Sequence, residues 1–147
     1  MSPSRSRIER PERLFLDSFH DRTLERFSHR EHLRLAWNIM REHGLDQGLS
    51  MLAQGIKEFA EDQGATNRYH ETLTMFWGRI IDHAIQERPE VQRFEEFLNA
   101  FPFLLEKDLP TRHWTSARVW SDAARQSWLQ PDKLPLPTSS KTGFSHP

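Results

Sequence analysis

Three histidines stand where they could bind one metal ion. His29 and His32 lie three residues apart in "FSHREHLRLAW", so one turn of helix brings both rings to the same side. His70 follows Tyr69, the only tyrosine, in "NRYHET". Imidazole nitrogen suits several transition metals, and the spacing leaves Fe, Cu, Zn, Ni and Mn open. The pattern therefore predicts a mononuclear metal site with these three histidines as its ligands.

Two neighbours of His70 are the candidate catalytic residues. On a helix Glu71 points about 100° away from His70. That direction favours a hydrogen-bond partner of a ligand, or a general base acting through water. The phenol of Tyr69 is suited to orient water or an oxygenated substrate. Three arginines near the same end favour an anionic small-molecule substrate: Arg30, Arg34 and Arg68.

Other kinds of site are excluded by the residues themselves. The chain has no cysteine, which rules out disulfides, thiolate zinc sites and thiol catalysis. It has no glycine-rich phosphate loop, no G-x-S-x-G elbow and no H-E-x-x-H helix. The paired E-x-x-H motifs of di-iron bundles are also missing, which favours a mononuclear centre. His20 and His113 are two open alternatives for a fourth ligand.

Helical periodicity supplies the elements that would position these residues. We expect an all-α protein, an up-down-up-down helical bundle followed by short C-terminal helices and an extended Pro-rich strap. Ser28 and Glu31 form a capping box before the first helix, and Gly44 ends it. The four main helices are expected at about 29–43, 46–63, 66–86 and 89–102. Pro89 is expected to begin the fourth, and Ser116 and Ser121 to cap short helices near the C-terminus.

Short connections make consecutive helices of such a bundle antiparallel. The first and third helices then run parallel, and their N-termini share one end of the bundle. This is the argument that brings His29, His32 and His70 together.

Composition and charge set wider limits. We expect a mobile tail at 1–13, a single domain at 14–137 and a disordered tail at 138–147. A net charge of −1 gives no reason to expect a nucleic-acid partner. No apolar run reaches the roughly 18 residues of a membrane span, and the N-terminus lacks the apolar core of a secretory signal. We expect a cytoplasmic protein without a membrane partner, for which a homodimer is compatible with the sequence.

A different class of function is the alternative. If the helix begins at His29, His32 stands at the position that packs against Phe27 in a hydrophobic staple, so packing alone would explain it. The histidines would then form a buried network in a non-catalytic regulatory or interaction module. The main hypothesis is a metal-dependent oxidoreductase or hydrolase acting on a small molecule.

Three blocks of the sequence, "HREHLRLAW", "YHETLT" and "PDKLPLP", carry a resemblance. The chain resembles a family of short bacterial all-helical proteins with H-x-x-H-L-x-L-A-W, Y-H-E-T-x-T and P-D-x-x-P-L-P blocks. The resemblance covers roughly residues 25–137. It implies a stand-alone bacterial domain and brings no activity with it.

Overall fold

Three long helices carry the fold, and each contacts the other two. The structure is a computed structural model that describes residues 8–24 and 27–137. The described residues contain α-helices and short 3₁₀ turns and no strand, so the expected all-α class is confirmed. The α-helices are α1 (Arg10–His20), α2 (His29–His43), α3 (Leu45–Asp62), α4 (Glu71–Glu87), α5 (Phe94–Ala100), α6 (Ser116–Val119) and α7 (Asp122–Gln126). The 3₁₀ turns are Thr66–Arg68, Pro102–Leu105 and Leu109–Arg112.

Local signals in the sequence place α2 correctly. The backbone N–H of Ser28 donates to the Glu31 carboxylate at 3.0 Å, which completes the predicted capping box. The helix ends at His43, and Gly44 follows with φ +80°. That left-handed conformation favours glycine, and it lets α3 begin at the very next residue.

The N-terminal boundary differs from the expected one. α1 begins at Arg10, so residues 10–13 are helical and do not belong to a tail. Glu12 is buried, and its carboxylate accepts hydrogen bonds from Arg34 Nε at 2.8 Å and Asn38 Nδ2 at 2.9 Å. This contact joins α1 to α2. Residues 1–7 and 138–147, where the outer parts of both tails were expected, lie outside the described residues.

The predicted third helix is divided in the structure. Thr66–Arg68 forms a 3₁₀ turn, and α4 begins only at Glu71 with His70 as its N-cap. The His70 ring accepts the Leu73 N–H at 3.1 Å, in the place of the usual serine, threonine, asparagine or aspartate cap.

Within α4, a Cβ added at Gly78 would lie 2.6 Å from Leu49 Cδ2, so α3 and α4 pack closely there.

The predicted fourth helix is much shorter than expected. α5 covers only Phe94–Ala100, and Pro89 lies in a turn before it, so the predicted start at Pro89 is wrong. Val91 is 3 % exposed, and it packs into the core from non-helical chain. The up-down-up-down order of four main helices stays a prediction.

Residues 102–137, which we call the C-terminal segment, contribute to the same core. Leu104, Trp114 and Val119 are each 0 % exposed. The Ser121 side chain caps α7 as predicted, whereas α6 is capped by Thr115 and not by Ser116. No helix in the part of the chain that the structure describes is long and apolar enough to cross a membrane.

Candidate ligand-binding site

A cavity of about 350 Å³ lies where α2 and α4 begin, with α3 as a third wall. We call it the histidine pocket, because His29, His32 and His70 all line it. Its apolar lining consists of Ala36, Leu52, Ile56, Leu73 and Trp77. The other polar residues at its surface are Arg68, Tyr69, Thr74 and Lys107. The structure thus brings the three predicted histidines to one cavity.

His29 is fixed by one of its two ring nitrogens. Its Nε2–H donates to the Leu104 carbonyl at 2.8 Å, and its ring stands edge-on to Trp77 with centroids 4.6 Å apart. Burial lowers the pKa of His29; the bond to Leu104 opposes that shift, and nearby Lys107 adds to it. The ring is therefore neutral at pH 7, and Nδ1 has no hydrogen-bond partner among the described residues.

His32 follows the same pattern with the other nitrogen. Its Nδ1–H donates to the Ser28 carbonyl at 3.0 Å, which leaves Nε2 without a hydrogen-bond partner among the described residues. The ring stacks on Phe27 at 3.9 Å, the staple contact that the alternative interpretation predicted. Burial lowers the pKa of His32, and the neighbouring His29 lowers it further against the opposing bond to Ser28.

The free nitrogens of His29 and His32 both remain accessible. Within the described residues, one side-chain nitrogen is fully buried and has no hydrogen bond, and it is His83 Nδ1. Nδ1 of His29 and Nε2 of His32 also lack a hydrogen bond to these residues, but they are not fully buried. Each can accept a hydrogen bond from a molecule in the pocket or from water.

Both ring nitrogens of His70, a predicted metal ligand, have hydrogen-bond partners in the protein. Its Nε2–H donates to the Val119 carbonyl at 2.6 Å, and its Nδ1 accepts the Leu73 N–H. Both nitrogens are therefore occupied by backbone groups, and a metal would have to displace one of these bonds. Metal ligation by His70 therefore stays a prediction, and the two hydrogen bonds of the ring disfavour it.

The three-histidine metal site stays a prediction. Among the described residues, no group of three or more His, Cys, Asp or Glu side chains is placed to hold a metal ion. His29 and His32 offer one nitrogen each, which is fewer than the three protein ligands of a catalytic zinc site. His113, a suggested fourth ligand, instead donates from Nδ1 to the Leu134 carbonyl at 2.8 Å. His20 does not line the pocket either.

Tyr69 and Glu71, the predicted catalytic pair, contact each other. The Tyr69 hydroxyl donates to Glu71 Oε1 at 2.6 Å. Burial, followed by this hydrogen bond, raises the pKa of Tyr69, so the phenol stays protonated. Tyr69 lines the histidine pocket, whereas Glu71 does not. The structure therefore shows Glu71 holding the tyrosine rather than facing the cavity.

The predicted cluster of arginines is separated by ion pairs. Arg34 is bound to Glu12, and Arg30 is paired with Glu95. Arg68 and Lys107 line the pocket, and neither forms an ion pair with another described residue. The positive charge at the pocket thus comes from Arg68 and Lys107.

The sequence did not single out one of the pocket residues. Trp77 packs against the core, and it also lines the cavity and contacts His29. Its spacing indicates this position, because Trp77 lies seven residues after His70 and such residues share one face of a helix.

The chain matches no family model, no curated protein and no solved structure. The resemblance to short bacterial helical proteins therefore stays a prediction, and the function has to be argued from the pocket.

Proposed function

We propose that the protein binds a small organic anion with an apolar body in the histidine pocket. The observation that carries this proposal is the charge of the lining. Arg68 and Lys107 lie at the cavity without an ion-pair partner among the described residues, and no carboxylate lines it there. A cavity with cations and no acid attracts an anion and disfavours a cation.

The rest of the lining indicates what is attached to the anionic group. Leu52, Ile56 and Trp77 offer aliphatic and aromatic surface from two different helices. Small-molecule sites commonly combine such apolar walls with a few polar groups that fix orientation. An aliphatic or aromatic body would gain from leaving water there, at about 25 cal/mol for each Å² of apolar surface buried.

The two neutral imidazoles add a preference for a hydrogen-bond donor. His29 Nδ1 and His32 Nε2 carry lone pairs, because in each ring the other nitrogen bears the proton that binds a backbone carbonyl. A ligand N–H or O–H group would satisfy one of these acceptors. The proposed ligand class is therefore an apolar organic acid with a donor group near its anionic group.

Anilinonaphthalene sulfonate is a suitable probe, since it combines aromatic rings, an N–H group and an anion. We expect saturable binding that Lys107→Gln and Arg68→Gln each weaken by about two- to fivefold, the usual range for one partly exposed charge. Arg13→Gln is the matched control, because Arg13 is exposed on α1 and does not line the pocket. Equal binding by all four proteins in a fluorescence titration would refute the proposal.

A second candidate function is metal binding by His29 and His32. It is favoured by their two accessible nitrogens at the i and i+3 positions of one helix. Such a site would need its remaining ligands from a substrate or from water. In this second proposal, the metal-dependent oxidoreductase or hydrolase expected from the sequence would bind its metal through these two histidines as its only protein ligands.

Metal analysis of the untagged protein tests this second candidate. We expect transition metal in the wild type after reconstitution, retained in His70→Gln and lost in His32→Gln. If metal content is the same in wild type and His32→Gln, these two histidines do not form a metal site.

A further inference from the structure

A second cavity, also about 350 Å³, lies next to the histidine pocket. We call it the polar groove; its charged and amide residues are Lys57, Glu61, Asn67, Asp122, Arg125 and Gln126. These residues come from α3, from the Thr66–Arg68 turn and from α7. Apart from Tyr69, each residue that lines the groove has a charged, amide or hydroxyl side chain.

Tyr69 lines both cavities and stands between them. Glu71 holds its hydroxyl, and Lys57 Nζ lies 5.2 Å from the centre of its ring. The Thr66–Arg68 turn before Tyr69 contributes residues to both cavities, because Asn67 lines the groove and Arg68 lines the pocket. A molecule that reaches past Tyr69 and Arg68 therefore leaves one cavity and enters the other.

The groove presents charges of both signs that do not neutralise one another. Lys57, Glu61, Asp122 and Arg125 form no ion pair with each other or with another described residue. The pocket, in contrast, offers apolar walls, two cations and two hydrogen-bond acceptors. The two cavities thus suit different parts of one elongated molecule.

We propose that the pocket and the groove are two subsites for an N-acylated amino acid with a cationic side chain. The acyl chain would lie against the apolar walls, and the amide N–H would face His29 or His32. The carboxylate would lie at Arg68, and the side chain would pass Tyr69 to meet Glu61 and Asp122. This inference rests on the proposed function, because it uses the same pocket for the apolar, anionic part.

Two ligands that differ only in the side chain test the inference. N-octanoyl-lysine carries an ammonium group for the groove acids, whereas N-octanoylglycine has no side chain. By isothermal titration calorimetry we expect the lysine derivative to bind about fivefold more tightly, the ratio expected for one favourable ion pair. The double variant Glu61→Gln, Asp122→Asn should abolish this preference and leave the affinity for N-octanoylglycine unchanged.

Asp17→Asn is the control, since Asp17 is exposed on α1 and lines neither cavity; the variant should keep the preference. If both ligands bind with equal affinity and Lys107→Gln weakens both, the inference fails and the proposed function stands. If neither ligand binds, and anilinonaphthalene sulfonate does not bind either, the proposed function fails as well. A preference that survives in the double variant also overturns the inference.

Discussion

The C-terminal segment shares the core of the three long helices, and hydrogen bonds from side chains of those helices to its backbone hold it in addition. α2, α3 and α4 pack through large buried side chains such as Trp37 and Phe76. The helices of the C-terminal segment have only four or five residues, too few to be stable by themselves. Side chains of the long helices bind the backbone of the segment: Thr72 Oγ1 donates to the Ser127 carbonyl at 2.8 Å, and His70 donates to Val119.

This difference separates the histidines into two groups. His70 and His113 each use one ring nitrogen to bind a carbonyl of the C-terminal segment, the kind of contact that the hypothesis of a buried network expects. His29 and His32 each keep one nitrogen for the pocket. Residue type alone therefore does not identify a binding residue; the partner of each nitrogen does.

Trp114→Ala should break the attachment of the C-terminal segment most severely. The indole is 0 % exposed, and its Nε1–H donates to the Leu129 carbonyl at 3.0 Å. We expect the free energy of unfolding to fall by about 3–5 kcal/mol, as for other buried tryptophans. Trp120→Ala is the matched control: this ring is 51 % exposed and should cost less than about 1 kcal/mol in urea denaturation. Similar losses for both variants would contradict the role of the buried Trp114 ring in attaching the segment.

His70→Ala should have the next largest effect. It leaves the Val119 carbonyl and the Leu73 N–H without their partner, and an unsatisfied buried group costs about 1–3 kcal/mol. His20→Ala, at an exposed site on α1, should change the free energy of unfolding by less than about 0.5 kcal/mol. If His70→Ala is as stable as His20→Ala, His70 does not hold the segment.

The pH dependence of stability should show a smaller effect. Burial lowers the pKa of His29 and His70 below the 6.5 of the unfolded chain. The unfolded state then binds more protons, so the free energy of unfolding is greatest above about pH 6.5 and decreases as pH falls through the lower, folded-state values. Urea titrations at about pH 7.5 and about pH 5.5 should show this decrease, and His70→Gln should make it smaller. If His70→Gln keeps the pH dependence of the wild-type protein, His70 does not contribute to the pH dependence of stability.

Local sequence patterns predicted much of the fold. Most of the errors come from contacts between residues that lie far apart in the sequence. The Ser28 cap and Gly44 are read correctly because their partners lie within a few residues. The helical pattern before Glu71 gave no sign that the His70 ring would cap α4. Nothing near His70 in the sequence indicates that its other nitrogen binds a carbonyl 49 residues away.

The same limit applies to the candidate site. Helix direction and spacing predicted that His29, His32 and His70 would meet, and they line one cavity. Arg34 was expected to face a substrate because its partner, Glu12, was assigned to a tail. Spacing can predict which side chains meet, but it cannot predict which of their atoms are already bound.

The bond between His29 and Leu104 joins residues 75 positions apart, which matters for a chain made from its N-terminus. The three long helices leave the ribosome before the segment that completes them, and domains generally fold as units during synthesis. Until Leu104 and Val119 emerge, two imidazole N–H groups lack their acceptors and Phe76 lacks the Trp114 ring beside it. Lys107 emerges in that same interval, so until then the histidine pocket of a nascent chain lacks one of its two cations.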